Sequence, residues 1–566
     1  MLKNIAINRN FVVQTALLLL GAVLFLPGLG SVHLFDWDEI NFAESAREMI
    51  VTGDYLTVQI NFEPFWEKPP LFIWMQVLSM KIFGINEFAA RFPNAICGIV
   101  TMLVLFNIGK RLKNERFGLL WVFVYIASLT PFFYFKSGII DPWFNLFIFL
   151  GTYYFICFTS PREDRNKYFL VALSAFFLGL AVLTKGPVGF LIFLLTFAVY
   201  LLVKRFKIDF TWTQVVLFFV VLGFVGGFWF LLQIVNGNLS VIQDFIVYQI
   251  RLFETKDAGH GGFLLYHFVV LLIGVFPASA FALFTFRKNI LQKESDKKMA
   301  HFFRWMMILF WVVLILFTIV RTKIIHYSSM CYFPLTFLAT WYIERIIDRK
   351  ESVHWSAKVL IGLFALIFSL AIAIVPFIDS LKHLLFSVVD EFTKGNLEAT
   401  SQWMGFEWIV GVILFVGAIY FIVFGNKNPK KAVFVLFSSS LIFIFSTMLF
   451  VVPQVEKYTQ GTPIEFYKSK KGEDCYILYA MDIYFYKNGD KSKSYAPYFY
   501  AERKAENNCS DEDFLRRGDI DKPCYFVIKN FSKTIEAFEE GTKNAQFLYA
   551  KNGFSFYVRY PKNDIR

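Results

Sequence analysis

The sequence predicts an all-α polytopic membrane protein that ends in a small soluble α/β domain. Apolar runs of about 20 residues, long enough to cross a bilayer as helices, recur as far as residue 452. The chain is 57% hydrophobic and 18% charged, whereas soluble domains average about 45–50% apolar and about 25% charged residues. From residue 453 onward the chain becomes polar, and short strand-like segments replace the long apolar runs.

Thirteen candidate transmembrane helices follow from these runs. Their bounds are 11–30, 88–109, 117–135, 142–158, 168–184, 187–203, 213–235, 263–286, 302–320, 328–347, 357–377, 407–424 and 432–452. The first run is interpreted as an uncleaved span, because it is long and lacks a small-x-small cleavage site. Lys and Arg clusters precede the first span and follow each even-numbered one, which predicts that those ends are cytoplasmic. This distribution explains the net charge of +12, and such short clusters argue against a nucleic-acid partner.

The predicted domain boundary lies at the end of the last span. Residues 1–452 form a transmembrane domain, and within it residues 31–87 form a first extracytoplasmic loop with interfacial helices. Residues 453–566 form an extracytoplasmic α/β domain. With the cytoplasmic ends assigned as above, the protein is expected in a bacterial inner membrane with this domain and the first loop outside the cytoplasm.

The polar tail, residues 453–566, carries clear local signals. The segments CYILYAMDIYFY and CYFVIKNF predict strands, 533–541 predicts a short helix, and Asn552-Gly553 predicts the turn of a hairpin. Cys475, Cys509 and Cys524 also lie in this tail and leave room for one disulfide in an oxidising compartment, without indicating which pair forms it.

Three acidic residues are the candidate catalytic groups, namely Asp38, Glu39 and Asp141. Ionisable side chains at a membrane boundary are costly and tend to be functional. Asp38 and Glu39 stand at the start of a helical pattern that continues to Thr52, and Asp141 begins an Asp-Pro step beside the fourth span. The alternative for Asp38 and Asp141 is helix capping, a common role of Asp that Asp36 could fill in place of Asp38.

Basic and polar side chains on the same predicted side suit an anionic headgroup. Lys68 precedes Pro69-Pro70 and a predicted helix over 71–83, where backbone amides and the helix dipole attract phosphate. The further candidate phosphate ligands are Lys185, Arg251, Arg321 and Lys323, and the other site candidates are Glu67, His260, His326 and Tyr327. The alternative for Lys185 is a snorkelling side chain. Several cations opposite the cytoplasm, however, suit a ligand with an apolar tail and a phosphate, such as a polyprenyl-phosphate sugar.

These segments resemble a known family. The motifs are D-E-x-x-F-A-E-x-A-R-E-M at 38–49, G-D at 53–54, E-K-P-P-L at 67–71 and N-E-F-A-A-R-F-P at 86–93, with the shorter LTKGPVG, AGHGG and KIIHYS further on. Residues 35–93 resemble the first extracytoplasmic loop of polyprenyl-phosphate-dependent glycosyltransferases with the GT-C fold. The bacterial aminoarabinose lipid A transferases are the most similar group, and the dolichyl-phosphate-mannose protein mannosyltransferases are more distant.

The resemblance implies an enzyme that moves a sugar from undecaprenyl phosphate to a lipid A-like, other glycolipid or protein acceptor. It implies that Asp38 is the catalytic carboxylate, that Lys68 binds the donor phosphate, and that Asp141 is a second acidic site residue. One position departs from the family, because Asn41 stands where the aminoarabinose transferases usually have Arg. This change removes a cation that a lipid A phosphate acceptor would use.

The expected reaction is a direct, inverting displacement at the anomeric carbon, in which cations neutralise the polyprenyl phosphate that leaves. Asp38 would orient or deprotonate the acceptor. A divalent metal near Glu67 or His326 stays open, since no ligand spacing demands one. Two other classes are weighed: a transporter or flippase of lipid-linked sugars, which would need ionisable groups near mid-membrane and internal repeats, and a non-catalytic envelope protein, which would leave the acidic loop unexplained.

Overall fold

The computed structural model describes residues 9–65, 67–160, 165–207, 210–254, 262–480, 494–509 and 511–562. Most of this part of the chain is helical. The helices before the tail are α1 Arg9–Phe25, α2 Asp38–Thr52, α3 Leu71–Phe83, α4 Glu87–Leu112, α5 Glu115–Ile126, α6 Leu129–Tyr134, α7 Asp141–Phe158, α8 Lys167–Lys185, α9 Val188–Val203, α10 Trp212–Val235, α11 Leu239–Glu254, α12 Tyr266–Gly274, α13 Ala278–Ala282, α14 Lys297–Ile319, α15 Tyr332–Ile347, α16 Trp355–Ile374, α17 Ile378–Leu385, α18 Glu391–Leu397, α19 Trp408–Phe424 and α20 Pro429–Ser446.

The apolar helices lie where the sequence predicts spans, and the multi-pass membrane character is confirmed. Within the described ranges, six helices are long and apolar enough to cross a membrane, or seven when one bent pair counts as a single span. That pair is Tyr266–Gly274 with Ala278–Phe286, which meet at 112° inside the predicted span 263–286. The predicted span 117–135 is likewise divided into α5 and α6. The count of thirteen spans stays a prediction.

Aromatic side chains and small residues explain how the apolar helices pack. Phe149 and Phe333, on α7 and α15, stack with ring centroids 4.4 Å apart inside the largest hydrophobic cluster. At the crossing of α4 and α5, a Cβ atom on Gly109 would lie 2.6 Å from the Cα atom of Gly118. The two backbones can therefore approach this closely only because both positions are glycine.

The first loop, residues 31–87, folds into two helices joined by a small hairpin. Helix α2 packs on α3 through T-shaped contact of Phe42 with Phe72, whose ring centroids are 6.0 Å apart. Between the helices lie strands β1 Gln59–Ile60 and β2 Glu63–Pro64. The helical patterns predicted for 39–52 and 71–83 are thus both confirmed.

The tail contains helices and a mixed four-stranded sheet. Its helices are α21 Val452–Glu456, α22 Gly461–Ser469, α23 Ala496–Tyr500, α24 Glu512–Arg517 and α25 Ser532–Gly541. The strands are β3 Tyr476–Ala480, β4 Cys524–Lys529, β5 Gln546–Lys551 and β6 Phe554–Arg559, in the order β3-β4-β6-β5. Only β3 and β4 are parallel.

The sheet confirms the local predictions for the tail. Asn552 and Gly553 have φ of 49° and 81° between β5 and β6, which is the left-handed backbone that a two-residue hairpin turn requires. The strand at 524–529 and the helix at 532–541 lie where expected. The predicted strand that starts at Cys475 is present to Ala480, and its second half lies outside the described residues.

The tail packs directly on the first loop. One hydrophobic cluster contains Ile40 and Phe72 from the loop together with Phe499 and Phe556 from the tail. The backbone amide of Leu34 donates to the Tyr500 hydroxyl over 2.6 Å. The division into two domains remains a prediction. The tail packs against the loop that bears the acidic residues.

Candidate functional site

Asp38 occupies the first turn of α2 and faces a histidine. Its Oδ2 lies 3.2 Å from Nε2 of His326. The residue before it, Trp37, has a φ of 86°, a backbone conformation that few L residues adopt. Trp37 is the N-cap of α2, and no side-chain capping hydrogen bond forms at this end. The capping alternative for Asp36 and Asp38 therefore does not hold, and the Asp38 carboxylate points into the site.

His326 lies on a 3₁₀ turn, Ile325–Cys331, that joins α14 to α15. The Ser329 hydroxyl donates to the carbonyl oxygen of His326 over 2.5 Å, and the Asn145 side-chain amide donates to that hydroxyl over 2.8 Å. The neighbouring Ser328 hydroxyl lies 3.1 Å from Nδ1 of His267 on α12. Helices α7 and α12 thus hold the turn that presents the imidazole.

Asp141 and Lys185 form an ion pair beside His326. The Lys185 Nζ donates to Asp141 Oδ1 over 2.7 Å, and the two side chains are 12% and 2% exposed. Lys185 also lies 5.6 Å and 5.5 Å from the ring centroids of Phe144 and Tyr327. The ion pair accounts for both side chains, in place of the alternatives of a helix-capping Asp141 and a snorkelling Lys185. Tyr327 thus lies beside the ion pair, and its role in the site stays a prediction.

Both carboxylates act on His326. Burial lowers the pKa of His326 below its usual value, while the negative charges of Asp141 and then Asp38 oppose this shift, and the Lys185 and Lys68 charges add to it. A neutral imidazole can accept a proton, so the Asp38–His326 pair is suited to general-base work. The cluster therefore brings an imidazole, two carboxylates and an ammonium group together.

Lys68 lies in a second cluster with Glu67 and a residue of α11. Its Nζ is 3.7 Å from Glu67 Oε2 and 3.4 Å from the Tyr248 hydroxyl, which itself donates to Glu67 over 2.9 Å. Arg251 lies one turn further along α11, 5.1 Å above the Tyr248 ring. The Lys68 side chain is 14% exposed, which suits a charge that must meet an anionic ligand.

Helix α11 packs against the tight turn that follows α8. Gly186 has a φ of 87°, and a Cβ atom there would lie 2.7 Å from the Phe245 ring. Only glycine permits both the left-handed turn and this contact. The predicted hairpin around Lys185 is confirmed by the adjoining helices α8 and α9.

Two predicted site residues are engaged elsewhere. The carboxylate of Glu39 is bound by Arg91 over 2.7 Å. The Lys323 ammonium donates to the carbonyl oxygens of Phe317, Thr318 and Val320 at the end of α14, where a cation complements the helix dipole. A catalytic role for Glu39 and a phosphate role for Lys323 gain no support from these contacts.

The remaining predicted positions differ in their surroundings. Arg321 is exposed on the loop before His326, and His260 lies outside the described residues. Asn41, where the family resemblance expects Arg, is 8% exposed, and its Oδ1 has no hydrogen-bond partner within the described part of the chain. Across the described ranges, no group of three or more His, Cys, Asp or Glu side chains could hold a metal ion. The idea of a divalent metal near Glu67 or His326 therefore finds no ligand set there.

Sequence reasoning missed four contributors. Arg91, Asn145 and His267 are buried polar side chains inside apolar helices, and such burial is itself the signal that could have found them. Tyr248 lies three residues before Arg251 on an amphipathic helix. The i, i+3 spacing could have shown that Tyr248 shares a face with this predicted cation.

Comparisons with known proteins agree with the fold. A family model described as dolichyl-phosphate-mannose-protein mannosyltransferase matches residues 67–229. The undecaprenyl phosphate-alpha-4-amino-4-deoxy-L-arabinose arabinosyl transferase of Pectobacterium carotovorum is 24% identical over 425 residues, which cover 74% of this chain and 72% of that protein. The corresponding transferase 1 of Proteus mirabilis is 25% identical over 376 residues, which cover 65% and 67%.

A solved structure has the same architecture. The crystal structure of ArnT from Cupriavidus metallidurans bound to undecaprenyl phosphate matches with a TM-score of 0.75 at 17% identity, over 97% of this chain and 98% of that one. The GT-C fold predicted from the resemblance is confirmed. The chain is a multi-pass membrane protein with this fold, and over most of its length it is similar to enzymes named undecaprenyl phosphate-dependent arabinosyl transferases.

Proposed function

We propose that this protein transfers a sugar from undecaprenyl phosphate to a glycolipid or protein acceptor on the outer face of the bacterial inner membrane. The observation that carries the proposal is the Asp38–His326 pair beside the buried Asp141–Lys185 ion pair, 3.2 Å and 2.7 Å between their atoms. The named relatives act with undecaprenyl phosphate donors. The donor class follows from that similarity together with the cations of the site.

The donor phosphate binds between the two clusters of cations in this proposal. Lys68 and Lys185 are both partly exposed and are each held by a carboxylate, and Arg251 and Arg321 lie on the neighbouring segments. Cations positioned before the reaction stabilise the charge that grows on phosphate as it leaves. Binding therefore contributes to the chemical step as well as to affinity.

The chemical step is a single displacement at the anomeric carbon. The bond from that carbon to the phosphate oxygen breaks, and undecaprenyl phosphate leaves with the electron pair. A bond forms to the acceptor hydroxyl oxygen, whose proton passes to the Asp38–His326 pair. Attack from the face opposite the leaving group inverts the anomeric configuration.

The acceptor carries a hydroxyl group in this proposal. Near Asp38, the uncharged Asn41 and the neighbouring acidic residues offer no cation that could bind an acceptor phosphate. A hydroxyl acceptor, in contrast, needs a base that takes up its proton. A lipid A-like sugar hydroxyl, another glycolipid and a protein side chain all fit this chemistry. A phosphate acceptor would have no need of the proton-accepting pair.

The membrane arrangement of the proposal has thirteen spans and a cytoplasmic N-terminus. Helices lie over the predicted spans, six or seven of them long and apolar enough to cross a membrane within the described ranges, and in this arrangement the α5–α6 and α12–α13 pairs each count as one span. The Lys and Arg clusters then face the cytoplasm, as the positive-inside bias requires. The site and the α/β tail face the opposite side, where an envelope acceptor is accessible.

The test uses purified protein in detergent with a panel of radiolabelled undecaprenyl-phosphate sugars and an envelope extract as acceptor. Release of free undecaprenyl phosphate is followed for wild type, Asp38→Asn and Lys68→Ala. Lys81→Ala is the control, because Lys81 lies on the adjacent helix α3 over the Tyr55 ring, away from the site. One donor consumed by wild type and the control, but not by the two site variants, supports the proposal. Donors that bind without being consumed would favour a transporter of lipid-linked sugars.

A further inference from the structure

The Glu39 carboxylate joins the two segments that carry the candidate catalytic acids. Its Oε1 accepts from the backbone amide of Gly138 over 2.5 Å, and its Oε2 accepts from the amide of Phe35 over 2.8 Å. Glu39 adjoins Asp38, and Gly138 lies three residues before Asp141. One side chain, 3% exposed, therefore links the backbone around both acids.

Arg91 on α4 holds Glu39 in this position. Its Nε and Nη2 donate to the two oxygens of Glu39 over 2.7 Å and 2.8 Å. The remaining donors bind carbonyl oxygens of the chain after α1, namely those of Leu29, Val32 and His33 at 3.0, 2.7 and 2.9 Å. All five N–H groups of a guanidinium are thus used, so the Arg91 side chain has one permitted orientation.

The same face of α4 also holds the second acid-bearing segment. One turn after Arg91, the Asn94 side-chain amide donates to the carbonyl oxygens of Ser137 and Ile139 over 2.7 and 2.6 Å. Gly138 itself leaves no room for a side chain, since a Cβ atom there would lie 3.0 Å from Cγ of Glu39. The junction between Glu39 and Gly138 is therefore closely packed as well as hydrogen-bonded.

We propose that the Glu39–Arg91 pair is a positioning device that sets where Asp38 stands relative to Asp141 and His326. This inference rests on the proposed glycosyl transfer. A displacement of about 1 Å at a reacting group can cost on the order of a hundredfold in rate. In this role the pair acts through the backbone amides of Phe35 and Gly138, and not by contact with the reacting groups.

A second buried ion pair on the same helix provides a matched control. Arg47 donates through Nε and Nη2 to the two oxygens of Glu44 over 2.7 and 2.6 Å, and both side chains are at most 2% exposed. This pair has the same two-bond contact as Glu39 with Arg91, but it lies within α2, five residues further along that helix. Within the described part of the chain, Glu44 has no hydrogen bond or ion pair with the Asp141 segment, so we expect its loss to perturb the fold without moving the acids.

The experiment compares Glu39→Gln, Gly138→Ala and Glu44→Gln with wild type in purified protein. We expect Glu39→Gln and Gly138→Ala to lower kcat on the order of a hundredfold, with the donor KM changed less than about threefold because the cations that bind phosphate stay in place. Glu44→Gln should lower the melting temperature as much as Glu39→Gln while leaving kcat within about twofold of wild type.

A second readout uses protein labelled with ¹⁵N-histidine. The Asp38 charge opposes the lowered pKa of His326, so displacement of Asp38 should lower that pKa further in Glu39→Gln and leave it unchanged in Glu44→Gln. Equal kcat values, or equal His326 titrations, for the two Gln variants would overturn the positioning role. Wild type that consumes no donor would overturn the proposed function instead, and the His326 titration alone would then decide the positioning role.

Discussion

Nε2 of His326 lies 3.2 Å from Oδ2 of Asp38, although the two residues are 288 positions apart in the chain. Each side chain is partly exposed, 17% for His326 and 29% for Asp38. A carboxylate at this distance orients the imidazole and stabilises its protonated form after a proton is taken up. The pair is therefore the element of the site most directly suited to activate an acceptor.

Loss of either member should abolish most of the turnover. Asp38→Asn and His326→Gln are each expected to lower kcat by about 10²–10⁴-fold, the usual contribution of a general base, while donor affinity stays near wild type. Glu63→Gln is the control, because that carboxylate is exposed on the same loop. Full activity in Asp38→Asn, measured as release of free undecaprenyl phosphate, would remove Asp38 from the chemical step.

The pH dependence of turnover should follow His326. Burial lowers its pKa from the ordinary 6.5, so the imidazole stays neutral at and above neutral pH and becomes protonated only in acid. We expect kcat to be flat from pH 8 down to the ordinary pKa and to fall below it, as the base takes up a proton before the acceptor can supply one. A loss of kcat that begins above pH 7 would contradict a lowered pKa of His326 as the cause of the pH dependence.

Lys68 should govern donor affinity. Hydrogen bonds to charged groups contribute about 1.5–3 kcal/mol, so Lys68→Ala is expected to weaken undecaprenyl phosphate binding by roughly tenfold to a hundredfold. Tyr248→Phe removes the hydroxyl that joins Lys68 to Glu67 and should weaken binding less, because the ammonium remains. Lys81→Ala on α3 is again the control. Binding measured by displacement of labelled undecaprenyl phosphate decides between a phosphate ligand and a structural lysine.

Much of the site could be predicted because its residues break the apolar pattern of the chain. Asp38, Lys68, Asp141, Lys185 and His326 are ionisable groups at the ends of apolar runs, and the structure brings them into neighbouring clusters. What the sequence could not supply is the partner of each group, since partners lie far along the chain.

Glu39 and Lys323 illustrate this limit. Both are ionisable groups next to site residues, yet Arg91 lies 52 positions from Glu39, and Lys323 binds the carbonyl end of the preceding helix, α14. Their pattern in sequence is the same as that of Asp38 and Lys68. The contact of the tail with the first loop was missed for a related reason, because a shared core between distant segments has no local periodicity.

The tail should depend on Tyr500 for its contact with the first loop. Tyr500→Phe keeps the ring but leaves the buried amide of Leu34 without its acceptor at 2.6 Å, which costs about 1–3 kcal/mol. We expect a lower melting temperature in detergent and faster proteolysis of the tail. Tyr549→Phe is the control, since Tyr549 is 41% exposed on the edge strand β5. Equal stability of the two variants would show that the tail does not rely on this hydrogen bond.

Glu48 should make the stability of the first loop depend on pH. Burial, and then the neighbouring Glu44 carboxylate, raise the pKa of Glu48 from 4.5 to about 9. Between these values the folded protein holds a proton that the unfolded chain has released, so stability falls as pH rises, by up to about 1.4 kcal/mol per pH unit. We expect the melting temperature of wild type to fall from pH 6 to pH 9. Glu44→Gln should give a shallower slope because the like charge is gone, whereas Glu63→Gln should keep the wild-type slope. If the melting temperatures of wild type and Glu44→Gln fell with the same slope, the Glu44 charge would not be a cause of the raised pKa of Glu48.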